Sequence, residues 1–120
     1  MTADRRVSPQ ADLIERLRRL LAAEPSTREI SMFGGHSFMV NEKMVVSALR
    51  DGDLLVRVAA DQHEELLGRP GAAQAEMGAG RSMGSGWISV TAAAIATDPD
   101  LSSWVEVALA HNRTIAKVRA

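Results

Sequence analysis

Gly80-Arg81-Ser82-Met83-Gly84 fits the G-x-S-x-G string that holds a hydrolase serine on a strained turn, and Asp98 or Asp100 and then His111 follow in Ser, Asp, His order. Such a set would perform acyl transfer, with the histidine taking the serine proton and the carboxylate orienting the histidine. The turn also needs a buried apolar strand before the serine and a helix after it. Here Gln74-Ala75-Glu76 precedes and Gly86-Trp87-Ile88 follows, and 120 residues are few for the parallel sheet that such a turn crowns. The string therefore reads as a glycine-rich connection. Ser82, His111 and Asp98 or Asp100 remain the alternative reading, a small serine hydrolase.

Gly78, Gly80, Gly84 and Gly86 supply backbone amides that would suit a phosphate, but the spacing is not G-x-G-x-x-G and no Gly-Lys-Ser/Thr ending occurs. A loop or bulged sheet edge accounts for them. His36, His63 and His111 are far apart, with no pair at i, i+4, so each reads as a surface or hydrogen-bonded histidine rather than a metal ligand. With no cysteine, a thiolate nucleophile, a cysteine zinc site, an iron–sulfur cluster and a disulfide framework are excluded. No cofactor or metal is expected. The carboxylates Asp51, Asp53, Glu64, Glu65, Asp98 and Asp100 sit where turns and helix caps would use them.

The charge pattern argues against a nucleic-acid face. Residues 1–28 sum to +2, 29–68 to -4, 69–86 to +1, 87–112 to -3 and 113–120 to +3. Only the ends are basic, through Arg16, Arg18 and Arg19 and through Arg113, Lys117 and Arg119. Weak binding to nucleic acid through those ends is a further alternative, and direct binding is not the expectation, because affinity grows with the number of phosphates neutralised.

These residues must be positioned by a modest number of elements. The chain is 46% hydrophobic with a net charge of -1, the make-up of one globular domain able to bury a core unaided. It has neither a signal-peptide apolar run nor a membrane-spanning one, so a cytoplasmic protein is expected. Ser8-Pro9 opens an amphipathic helix over about 9–23, with Leu13, Ile14, Leu17, Leu20 and Leu21 on one face and Pro25 beyond it. Then Gly34-Gly35, Asn41-Glu42 and Asp51-Gly52 punctuate short alternating runs, which predicts an antiparallel β-meander with a type I′ turn at Asp51-Gly52. Asp61 with Glu64 has capping-box spacing ahead of a short helix. Residues 71–86 read as loop or edge, 87–90 as a further strand, and Asp98 or Asp100 as the cap of a last helix carrying Leu101, Trp104, Val105, Ala108 and Leu109 on one face. The fold class is α+β, with helices packed on the sheet. The methionines, gathered at Met32, Met39, Met44, Met77 and Met83, are expected to fill the core, since only Phe33, Phe38, Trp87 and Trp104 are aromatic.

Several spaced motifs agree in order. Met32-Phe33-Gly34-Gly35, running on through Phe38 to Lys43-Met44, then Asp51-Gly52 through Arg57-Val58, then Gly80-Arg81-Ser82-Met83 with Gly86-Trp87, and finally Leu101 with Trp104-Val105, resemble the signature of the TfoX N-terminal domain family, the TfoX/Sxy competence-regulator group. The likeness covers about residues 30–113. It implies an α+β fold and a regulatory role exercised through protein contacts, with transcription machinery or a second copy as the expected partner, and it brings no catalytic residues. Since the chain ends at residue 120, ahead of the helix–hairpin–helix-like region of the full-length regulators, a short stand-alone form without enzymatic activity is the expectation. The motif residues Met32, Phe33, Gly34, Gly35, Phe38, Lys43, Met44, Gly52, Arg57, Met83, Gly86, Trp87 and Trp104 are the candidate interaction set. The Met32–Gly35 turn with Phe38, and the outward face of the last helix, are the surfaces expected to meet a partner.

Overall fold

A computed structural model describes residues 8–32, 34–78 and 80–119, apart from the side chains of Met32 and residues 116–119. Ser8 caps helix α1 (Pro9–Leu20): its Oγ accepts the Ala11 amide at 3.0 Å, and Pro9 occupies a first-turn position whose amide would have no partner. The helix gives way to a turn after Leu20, a little before the expected Ala23, yet Leu21 still buries its side chain beside Leu13 and Leu17.

Four strands follow in a meander: β1 (Thr27–Met32), β2 (Gly35–Val40), β3 (Lys43–Ala48) and β4 (Leu54–Arg57). Two more, β5 (Ala72–Gln74) and β6 (Trp87–Val90), complete an antiparallel sheet in the order β1-β2-β3-β4-β6-β5. Strand β5 lies in the stretch expected to be loop or edge. It is an edge strand, and the hairpin beyond it is extended by a bridge between Glu76 and Ser82.

Asn41 and Glu42 both take positive φ, 54° and 64°, so the β2–β3 connection has the left-handed geometry of a tight hairpin even though Glu42 is not a glycine. At Asp51-Gly52 the expected type I′ turn is corrected. Only Gly52 has a positive φ, 93°, and the Leu49 amide donates to the Asp53 carbonyl while the Gly52 amide donates to the Leu49 carbonyl. Asp51 does not take positive φ; its carboxylate accepts the Asp53 amide at 3.1 Å, and glycine alone absorbs the reversal.

After β4 a 3₁₀ turn (Ala60–Gln62) runs into the short helix α2 (His63–Leu66) with no side-chain cap, so the Asp61–Glu64 capping box is not formed. Helix α3 (Asp98–Arg119) is capped by neither aspartate. Thr97 lies one residue ahead of Asp98, and its Oγ1 accepts the Asp100 amide at 3.3 Å, which leaves both acids inside the first turn, where they complement the helix dipole.

Cross-strand register decides the layers. Phe38 opposes Val46, Val46 opposes Val56, and Val56 opposes Ile88, so these side chains share one face. On that face they form a buried cluster with Leu13, Leu17 and Leu21 of α1 and with Leu101, Trp104, Val105, Ala108 and Leu109 of α3. A β-bulge after Phe38 lets Val45 join the same cluster. The core therefore lies between two long helices and one face of the sheet. Among the described side chains no methionine joins that cluster: strand alternation turns Met39 and Met44 to the other face, and Met77 is 55% exposed. Leucine, valine and isoleucine fill the space expected of methionine.

Candidate functional site

The residues of the alternative hydrolase set are not brought together. Ser82 is exposed and its Oγ accepts the Gly84 amide at 3.0 Å. His111 lies on α3 beside a recess of about 260 Å³ lined by Ala59, Asp61, Gln62, Ala110 and Thr114. Asp98 instead accepts from Arg16 at 3.2 Å. No hydrogen bond joins any two of Ser82, His111, Asp98 and Asp100 among the described residues. The His111 imidazole is held below its ordinary pKa, chiefly by burial and then by the nearby Arg57 charge, with Asp61 opposing, and its buried Nε2 has no hydrogen-bond partner among the described residues.

The basic ends carry their own counter-ions. Besides the Arg16–Asp98 pair, Arg18 reaches Glu15 and Glu29, and Arg113 reaches Glu24. These pairs reduce the positive field that a phosphate backbone would need. Lys117 and Arg119 lie outside the described side chains.

Among the motif residues the structure separates two kinds. Phe38 is fully buried and so is not a contact surface, a correction to the expectation drawn from the Met32–Gly35 turn. Phe33 and the side chain of Met32 lie outside the described residues. Gly52 is buried against α1, where a Cβ would lie 2.6 Å from that of Pro9. Trp104 is buried, with the Arg69 guanidinium 5.0 Å from its ring centre. Lys43 begins β3 opposite Val40, and Met83 is anchored by its amide to the Ala75 carbonyl at 2.9 Å. These positions build the fold.

Met44, Arg57 and Trp87 do something else. Residues paired with them or with Ser37 define the second sheet face: Ile30 opposes Ser37, Ser37 opposes Ser47, Ser47 opposes Leu55, and Leu55 opposes Ser89. Ser37 Oγ donates to Ser47 Oγ at 3.1 Å, and both serines are buried. Met39 and Met44 oppose each other at one end of this face. At the corresponding end of β4 and β6, Arg57 stacks on Trp87 with its guanidinium 4.7 Å from the ring centre. Leu55 is buried yet stands apart from the helix-side cluster. No described helix packs on this face, which offers half-buried sulfur, aromatic and aliphatic groups around a strip of small residues.

A third arrangement lies on the helix side, at the β1–β2 edge. Glu29, Ser31 and His36 point to one face because Ser31 opposes His36 and Glu29 opposes Phe38. His36 Nε2 lies 2.7 Å from Glu29 Oε1, and His36 Nδ1 lies 2.9 Å from Ser31 Oγ. Arg18 from α1 also grips Glu29, at 2.9 Å. The Arg18 hydrogen bond, with help from His36, draws the Glu29 carboxyl down to about 2 against a smaller opposing effect of burial. A cavity of about 360 Å³ adjoins, lined by Gln10, Ile14, Ser31, Gly34, Gly35 and His36. In the sequence His36 stands as a lone histidine. The i, i+2 spacing of Glu29 and Ser31 across a Gly-Gly hairpin from His36 was the available signal.

Among the described residues no cluster of three or more metal-ligating side chains occurs, and no helix is long and apolar enough to cross a membrane. Residues 19–112 match the sequence model of the family described as TfoX N-terminal domain. Neither the curated proteins nor the solved structures give a match.

Proposed function

We propose that this chain, which belongs to the TfoX N-terminal domain family, is a non-catalytic regulatory domain that acts in the cytoplasm by binding another protein across its open sheet face. The observation that carries this reading is the segregation of both long helices to one side of the sheet. That leaves Ile30, Met39, Met44, Leu55 and Trp87 on a face with no helix on it among the described residues. Methionine and tryptophan suit such a role, because a flexible thioether adapts to a partner and a large ring contributes much contact area. Family membership supports the regulatory half of the reading. The partner class, a component of the transcription machinery or a second copy of this chain, belongs to the proposal.

A photo-crosslinking amino acid placed at Met39 is expected to trap a discrete protein partner in cells, and the crosslink is expected to vanish when Trp87 is changed to Glu. The same probe at Glu106, exposed on α3, serves as the control on the opposite side. Equal crosslinking from both positions, or none from Met39, refutes the assignment of the interface.

A further inference from the structure

We propose that Ser31 is an activated acyl acceptor, a covalent modification site in which His36 takes the serine proton and Glu29 positions the histidine. The reactants it fits are small activated acyl donors, esters or thioesters, entering the cavity that Ser31 and His36 line beside α1.

The proton inventory supports this direction of transfer. At neutral pH Glu29 is ionised and only accepts hydrogen bonds, so the 2.7 Å contact requires His36 Nε2 to carry the proton. In the neutral imidazole Nδ1 then holds the lone pair, and the 2.9 Å contact places the Ser31 hydroxyl proton on it. The chain Ser–His–carboxylate is thus complete, with the two ring nitrogens exchanged relative to the arrangement of the serine proteases. Ser31 is exposed, whereas the His36 side chain is only 18% exposed, so the nucleophile is reachable and its base is held in place. All three residues belong to one antiparallel strand pair, whose register sets Ser31 directly opposite His36.

The step balances without an oxidant or metal. Ser31 Oγ adds to the acyl carbon as its proton passes to His36 Nδ1. The bond from that carbon to the leaving oxygen or sulfur then breaks, and the leaving atom takes the proton. The products are an acyl ester on Ser31 and a free alcohol or thiol. Arg18 shares the Glu29 carboxylate and weakens its pull on the imidazole, which favours slow, stoichiometric modification over rapid turnover.

The test uses the full chain with a fluorophosphonate probe and, separately, p-nitrophenyl acetate, followed by peptide mapping of the adduct. The adduct is expected on Ser31, absent in Ser31→Ala and undiminished in Ser82→Ala. His36→Ala is expected to slow labelling by about tenfold or more, in line with the usual contribution of a positioned base, and added free imidazole should restore part of the rate, which a merely misfolded variant would not show. Glu29→Gln should slow the reaction in the parent chain and change nothing in the His36→Ala background. An unmodified Ser31, an adduct at Ser82 instead, or a His36→Ala rate equal to that of the parent overturns the proposal and leaves the sheet-face interface untouched.

Discussion

The backbone amide of Gly86 donates to Nδ1 of the buried His63 at 2.9 Å, and the opposite ring nitrogen, Nε2, lies 2.8 Å from the Gln74 side-chain oxygen. One imidazole thereby ties α2 to both strands of the β5–β6 hairpin. The pairing fixes the tautomer: Nδ1 accepts, so Nε2 donates to Gln74.

His63→Ala is expected to destabilise the fold by about 2–4 kcal/mol, because it strands a buried Gly86 amide and removes the Gln74 partner. Urea unfolding of the two proteins measures this. A change under about 0.5 kcal/mol would show that the network carries little of the stability.

Gly52→Ala should also be costly, by about 1–3 kcal/mol. The residue has φ of 93°, and the added Cβ meets Pro9 at 2.6 Å, so either the β3–β4 turn or the start of α1 must move. Thermal melting would register the loss, and the Leu13 and Leu17 amide resonances should shift with it.

The Glu29 carboxyl, drawn down to about 2 by Arg18, links stability to acid. Its folded pKa lies below the unfolded value, so its contribution is fully present above about pH 4.5 and disappears as the pH falls through about 2. Because the pair is largely solvated, that contribution is small. In Arg18→Gln, a carbon-detected titration should show the Glu29 carboxyl moving up toward the ordinary range. A titration unchanged by the substitution would place the cause elsewhere.

His111 gives the opposite chemistry with the same sign against pH. Its imidazole is held low by burial and Arg57, so the unfolded chain binds a proton more readily than the folded one. Stability from this group is full above about pH 6.5 and declines as the pH falls below it. His111→Leu removes the unpartnered buried Nε2 and should stabilise the protein more at pH 5.5 than at pH 8, measured by parallel denaturation curves. A gain equal at the two pH values would show that titration of His111 is not the source.

Much of this molecule was legible in the order of residue types. Ser8-Pro9 announced the start of α1, the alternation around Phe38 and Val46 announced strands, and the glycine and asparagine dipeptides placed the turns, because capping, periodicity and positive φ are local properties. The motif series from Met32 to Trp104 likewise foretold the family. Two things were decided only by tertiary structure. Which face of a strand is buried depends on cross-strand register, so Met39 and Met44 turned away from the core while leucine and valine filled it. The turn at Asp51-Gly52 and the cap of α3 are set instead by local contacts, the Asp51 carboxylate accepting the Asp53 amide and Thr97 Oγ1 accepting the Asp100 amide. And a chemical set is a statement about distance: the string around Ser82 had the right order in sequence and the wrong place in space, whereas Glu29, Ser31 and His36 met because an antiparallel hairpin set their strands side by side.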